Sequence, residues 1–316
     1  MTLNNKKILA VTDGSAGMIS QVRGLAQRIS NNIQDYKTQI FFPWSKLQPG
    51  FLPIFKWIFK EKVTFKYKPD IVISCGRKSV YLSIFLKKMY KNDIVTIHIQ
   101  NPKISSENFD YVVAPNHDDF KGSNVINSIG AIHHFTKENL NFEHELNLKF
   151  NNKIVSIILG GKNNHYKFSR KIVEELILEI KKLKNNFKDY NFLIIGSRRT
   201  DNKTIKILEN ELDGVAHVWN KKTKNPYKFA IKNSSHFILT SDSTSMISEC
   251  AFSGKPIYIY HLPFKRTSKR LLKFHEEFNK MNITRKFEGE LENWDYETLD
   301  EAKRISGILL TRILNN

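Results

Sequence analysis

Cysteine is nearly missing from this sequence: Cys75 and Cys250 are the only two in 316 residues, and neither stands near a histidine at metal-ligand spacing. A disulfide framework and a zinc-finger type of site are thereby excluded, and both thiols are expected as small core residues in a reducing compartment. Long apolar runs are missing too. No stretch approaches the roughly 20 residues that cross a bilayer, and the apolar run in the opening MTLNNKKILAVTDG is too short for a signal peptide. A cytoplasmic protein is expected, with peripheral attachment to the inner face of a membrane as an extension of that expectation. The sequence also lacks GxGxxG, a Walker A loop, an HExxH pair, a DxD triplet and a GxSxG elbow. The expected chemistry is therefore metal-independent, with no metal site, no cofactor and no elbow-type serine nucleophile.

Acidic residues are in short supply. Lys+Arg number 50 against Asp+Glu 31, a net charge of +19. That imbalance favours anionic partners: phosphate-bearing substrates, an acidic membrane surface or nucleic acid. Compositional drift in a Lys-, Asn- and Ile-heavy chain explains part of it equally well. No recognisable nucleic-acid-binding module is present, so nucleic acid is not an expected partner. Hydrophobic content of 41% and charged content of 26% are those of a soluble globular protein, and 316 residues suffice for two domains with full cores.

What the chain does contain is alternation of strand and helix patterns from end to end, which predicts an α/β fold with mainly parallel sheets. The first half reads KKILAVTDGSAG, MISQVRGLAQRI, PDIVISCGRKS, VYLSIFLKKMY, DIVTIHIQNP and YVVAPNHDD. The second restarts at NKIVSIILGGKNNHYKF and continues through RKIVEELILEIKKL, NFLIIGSRRT, FILTSDSTS and PIYIYHLP. Between them, residues 133 to 152 are polar and patternless and read as the interdomain connection. Three parts follow: a domain over 1–135, a second over 150–265, and C-terminal helices over 266–316. The expected class is two Rossmann-like domains with parallel sheets facing across a cleft, ligands lying beyond the carboxyl ends of the strands.

The loops at those strand ends carry the candidate chemistry. TSDSTSMISEC, residues 240–250, follows a strand and opens a helix whose first-turn N–H groups can hold phosphate. Asp242 or Ser243 reads equally as an ordinary N-cap, whereas Glu249 lies too far into the helix for a capping box. In the same half, Gly160 and Gly161 would let backbone N–H groups approach an anion, and Arg198 or Arg199 could grip it with a planar fork. DGSAG at 13–17 is a weak signal by itself, readable as a tight turn with Asp13 capping the first helix. Residues 49–68 interleave aromatics with lysines, a pattern that suits an anionic membrane surface, stacking on single-stranded nucleic acid, or an amphipathic core helix with a solvated lysine face.

Taken together, VTDGSAG with Gln21 and Gly24, SCGRKS, HIQNP, APNHDD, INSIGAIH, ILGGKNNHYKF, TSDSTSMISECAFSGKPIY and KFEGELENW resemble, in order and spacing, the elongated-mitochondria family. The resemblance spans roughly residues 8 to 306. Plant members of that family act as mitochondrial fission factors, and bacterial members are regarded as candidate glycosyltransferases. The resemblance implies a GT-B architecture, acceptor side first and nucleotide-sugar side second, with the terminal helix crossing back to the first domain. It implies a nucleoside diphosphate-sugar as substrate, a UDP-sugar before others. Glu249 would hydrogen-bond the ribose, Ser243, Thr244 and Ser245 would receive the diphosphate, and Gly160, Gly161 and Arg198 would stabilise the leaving group.

An inverting transfer also needs a base near the acceptor hydroxyl. Asp13 is the first candidate and His117 the second, with Gly14, Gly17, Gly76 and Arg77 on acceptor-side loops. The acceptor expected is a membrane lipid or lipid-linked molecule, or an envelope polysaccharide, docked through 49–68 and the basic stretch 265–273. Two other readings stay open: a non-catalytic membrane-associated adaptor that keeps the fold, and a nucleotide-sugar epimerase, which needs acid and base groups on both faces of the sugar.

Overall fold

The computed structural model describes residues 5–141 and 153–315. The chain divides into two compact units, residues 1–134 with 300–316, and residues 135–299.

The first unit is built on a six-stranded, wholly parallel sheet of β1 (Ile8–Thr12), β2 (Ile33–Lys37), β3 (Ile71–Cys75), β4 (Val95–Ile99), β5 (Tyr111–Pro115) and β6 (Val125–Ser128), in the order β2-β1-β3-β4-β5-β6. Strands β1 and β3 are buried along their whole length because helices cover both faces, so they read as continuous apolar runs rather than alternating ones. The side-chain period of two then sorts the residues. Ile8 and Ala10 face α1 (Ala16–Ile29), while Leu9 and Val11 share a core with Tyr81, Leu82 and Leu86 of α2 (Arg77–Tyr90).

The 49–68 segment joins that second face, and it is not a helix. Pro49, Gly50 and Pro53 break it, leaving one short 3-10 turn at Lys56–Ile58. Ile58 and Phe59 enter the core, whereas Phe51, Phe55 and Trp57 remain exposed.

After α3 (Lys137–Leu140), the second unit repeats the design. Its sheet consists of β7 (Ile154–Leu159), β8 (Asn191–Gly196), β9 (His217–Val218), β10 (His236–Thr240), β11 (Ile257–Tyr260) and β12 (Thr284–Lys286), ordered β12-β11-β10-β7-β8-β9 and again parallel. Helices α4 (Arg170–Asn186), α5 (Asn202–Glu211), α6 (Tyr227–Asn233), α7 (Thr244–Ala251) and α8 (Lys269–Lys280) flank it. In α4, Ile172, Val173, Leu176, Ile177, Ile180 and Leu183 form one buried stripe, and Arg170–Glu174 and Lys171–Glu175 pair on the solvent side.

The expected C-terminal part, 266–316, divides at residue 300. Helix α8 and strand β12 stay with the second unit, since β12 extends its sheet. Only α9 (Glu301–Leu314) joins the first unit, burying Ala302, Ile305 and Leu309 in the core under α1. Its start is fastened by Arg28 to Asp300 at 2.7 Å and by the Ile129 N–H donating to Glu301 at 2.7 Å. Of the expected connection 133–152, the unit boundary falls between His134 and Phe135, and residues 142–152 lie outside the described residues.

Candidate functional site

In each sheet the strand order reverses once, between β1 and β3 in the first and between β7 and β10 in the second. Such switch points open a crevice beyond the carboxyl ends of the strands. Most of the candidate residues follow the strands of these two switch points, one in each unit, while His117 follows β5 and Arg198 follows β8.

In the second unit, Gly160 follows β7 and Asp242 follows β10. The Asp242 side chain is fully buried. It accepts from the Gly161 N–H at 3.1 Å and the Thr240 hydroxyl at 2.7 Å, and it pairs with Arg199 at 2.7 Å. Thr240 in turn accepts from the Gly160 N–H at 2.8 Å. The two glycine N–H groups expected to meet a ligand anion are thus already donated, one to a hydroxyl and one to the protein's own carboxylate. A Cβ at Gly160 would stand 2.1 Å from the Asp242 carboxylate, and one at Gly161 would stand 2.2 Å from the Arg199 carbonyl oxygen. Glycine is required at both positions by this close approach. Asp242 is therefore not an N-cap; the cap position of α7 belongs to Ser243, whose side chain makes no capping bond. Of the two arginines, Arg199 is committed to Asp242 while Arg198 projects into solvent.

Ser243, Thr244 and Ser245 are half-buried at the start of α7, where first-turn N–H groups have no acceptor within the helix. One and a half turns on, Glu249 accepts the Tyr227 phenol at 2.7 Å. Burial first, and then the neighbouring Glu249 and Cys250, push the Tyr227 hydroxyl well above its ordinary pKa, so it remains a donor. The loop behind is fixed by His275, whose Nε2 donates to the Ser241 carbonyl at 2.8 Å, and by the Leu262 N–H, which donates to the Ser241 hydroxyl at 3.0 Å.

In the first unit, Asp13 and Gly14 follow β1 and Gly76 follows β3. Asp13 Oδ1 accepts from the Ser15 N–H at 3.0 Å, a turn closed by a side chain rather than a helix cap. Burial raises its pKa, but the Ser15 hydrogen bonds and the Lys78 ammonium outweigh burial and leave the carboxyl below its ordinary value. Gly14, at φ +88°, carries the aliphatic stem of Lys37 directly over it. Gly17 is open, with nothing near its missing Cβ, and Gly76 packs on Met18. The Arg77 guanidinium is spent on the backbone, donating to the carbonyls of Ser45 and Leu47, so it fastens a loop instead of facing an acceptor. His117, the second candidate for the base, follows β5 and is buried, 4.0 Å from Asp118.

Sequence reasoning missed Tyr227, which opens a short helix after a polar loop, and it did not show that Lys37, Thr38, Lys60 and Lys78 line one cavity with Asp13, because three separate segments supply them. Among the described residues no three His, Cys, Asp or Glu side chains gather as metal ligands would.

Known proteins are similar to this chain in sequence or in fold. Protein RP120 of Rickettsia prowazekii is 27% identical over 96% of this chain and 97% of its own length. The mitochondrial fission protein ELM1 of Arabidopsis thaliana is 22% identical over 77% of this chain and 65% of that protein. Among solved structures, MnaA of S. aureus with UDP matches at TM-score 0.51 and 12% identity, covering 98% of this chain and 97% of that one. MurG of Acinetobacter baumannii matches at TM-score 0.51 and 11% identity, covering 98% and 90%. At such identities the structural likeness shows the fold, two Rossmann-like α/β units of GT-B type. The family model for mitochondrial fission ELM1 matches residues 16–313, and the chain belongs to that family.

Proposed function

We propose that the protein is a metal-independent glycosyltransferase that moves a sugar from a nucleoside diphosphate-sugar, a UDP-sugar in the first instance, to a membrane-lipid or envelope-polysaccharide acceptor. The observation that carries this reading is Glu249. It is an acceptor-only side chain on the helix that follows a small hydroxyl loop, steadied by Tyr227 at 2.7 Å, as a ribose-binding carboxylate requires. Ser243, Thr244 and Ser245, with the first-turn N–H groups of α7, are assigned to the diphosphate, and the solvent-facing Arg198 to its developing charge. The Gly160 and Gly161 loop acts one step back, by holding Asp242 and Arg199 in place. Asp13 is assigned as the acceptor-side base: its lowered pKa keeps it ionised at neutral pH, ready to take a hydroxyl proton. The likeness to an MnaA structure containing UDP agrees with a nucleotide ligand. The cytoplasmic face of a membrane is the proposed location.

One other reading has an observation in its favour. Phe42 and Phe51 stand 77% and 74% exposed, and a relative is named for mitochondrial fission, which fits a membrane-associated adaptor without catalysis. Thermal unfolding of the wild type and of Glu249→Ala against nucleoside diphosphates, with and without magnesium, separates the two. Ligand at about 100 times its dissociation constant adds roughly 2.7 kcal/mol, several degrees for a unit of this size. A magnesium-independent shift with one nucleotide, lost in the variant, is expected. No shift with any nucleotide would favour the adaptor.

A further inference from the structure

Beside the carboxyl ends of β1 and β2, wholly within the first unit, lies a cavity of ≈ 560 Å³ lined by Asp13, Lys37, Thr38, Phe41, Lys60 and Lys78 among others. Its charge is unbalanced. Three ammonium groups face one carboxylate, and that carboxylate already has Lys78 beside it. Among the described residues neither Lys37 nor Lys60 has a carboxylate partner. The stem of Lys37 lies on Gly14, and the Lys60 ammonium stands 5.7 Å over the Phe41 ring.

Thr38 belongs to the wall but is 2% exposed with its Oγ1 enclosed, so the donors that reach the cavity are the lysines. An anion with several acceptor oxygens would satisfy the two ammonium groups together.

The rim is of a different nature. Phe41 and Phe42 belong to the cavity and are 47% and 77% exposed. They continue into Leu47, Phe51, Phe55 and Trp57, so half of the large apolar side chains exposed on the described residues fall between positions 41 and 57. Free phosphate would use only the lysines. A phosphate at the end of an apolar chain would use the rim as well, gaining both charge and burial.

We infer that this cavity is the headgroup site for a phosphomonoester carried on a lipid, with Lys37 and Lys60 holding the phosphate and Phe41 and Phe42 seated in the apolar layer. In the transferase this occupant is the acceptor's anionic end, a role that rests on the reading above; the binding itself does not. The test is cosedimentation of the full chain with phosphatidylcholine vesicles containing either phosphatidic acid, a phosphomonoester, or phosphatidylglycerol, a phosphodiester, matched in zeta potential. About tenfold tighter binding to phosphatidic acid is expected. Lys37→Gln/Lys60→Gln should abolish that preference. Lys182→Gln on α4 should leave it unchanged. If the double variant does not fold, the single variant Lys60→Met, at an exposed position, serves in its place. Equal binding to the two vesicle types, or a preference that survives the lysine changes, would overturn the inference. So would inorganic phosphate stabilising the protein at the same concentration as the lipid, since the site would then take the free ion. Nucleotide-induced stabilisation, measured on the same samples, reports the transferase reading separately, because Glu249→Ala should leave the lipid preference intact.

Discussion

The hydroxyl of Tyr227 donates to Oε2 of Glu249 at 2.7 Å, joining α6 to α7 through the one carboxylate on the helix that follows the hydroxyl loop. Tyr227→Phe keeps the ring and removes the bond. A hydrogen bond to a charged acceptor contributes about 1.5 kcal/mol, so nucleotide affinity is expected to fall about tenfold in titration calorimetry, with little change in binding enthalpy from the diphosphate side. Unchanged affinity would mean that Glu249 is oriented by other contacts.

Asp242 is a buried charge held by a backbone N–H, a hydroxyl and an arginine. Asp242→Ala removes the acceptor and strands all three donors, which is expected to cost about 3 kcal/mol of stability. Denaturant unfolding should show the loss in the midpoint, and Arg199→Ala should cost less because that side chain is 36% exposed.

Two glycines of α1 make a matched pair. A Cβ at Gly24 would stand 2.2 Å from the His133 carbonyl oxygen, while one at Gly17 would meet nothing within 4 Å. Gly24→Ala should destabilise by about 1–3 kcal/mol through overpacking, and Gly17→Ala should be neutral or stabilise by up to about 1 kcal/mol. Thermal melts decide this. Any loss of acceptor binding in the stable Gly17→Ala protein would then report a ligand at that loop.

Acid should weaken the first unit. His98 is fully buried, bonded to Ser74 at 2.8 Å, and burial holds its pKa at about 3 against 6.5 for a free ring. Between those values the unfolded chain binds a proton that the folded one does not. Stability should therefore fall as pH drops below 6.5, by up to about 1.4 kcal/mol per pH unit. His236 in β10, lowered by burial as well, adds in the same direction. Urea midpoints at pH 7.5, 6.0 and 5.0 test it, and replacement of His98 by a residue that does not titrate should flatten the slope.

Which elements were legible in the sequence follows from which are buried on both faces. The strands β1, β3, β4, β5, β7, β8, β10 and β11 lie inside their sheets and appear as apolar runs such as IVISC and IVSIIL. The strands that left no such mark, β2, β6, β9 and β12, are the four sheet edges. An edge strand has one neighbour and a solvated flank, so IQDYK and TRK satisfy it with polar side chains and read as loop. The candidate site divides in a similar way. That loops at 160, 196 and 240 meet was readable, because strand ends converge in this fold. That Asp242 occupies their centre was not, because a carboxylate after a strand looks alike whether it turns outward to cap a helix or inward to a glycine N–H.

The first unit is assembled from both flanks of the second, and this sets an order of events during synthesis. Residues 135–299 are one uninterrupted stretch whose core needs nothing from either flank. The core under α1 stays open until Ala302, Ile305 and Leu309 have been made, some 270 residues after the surface they cover. Through that interval Val22, Leu25 and Ile29 lack their final cover, so the apolar surface open to wrong partners lies at the beginning of the nascent chain.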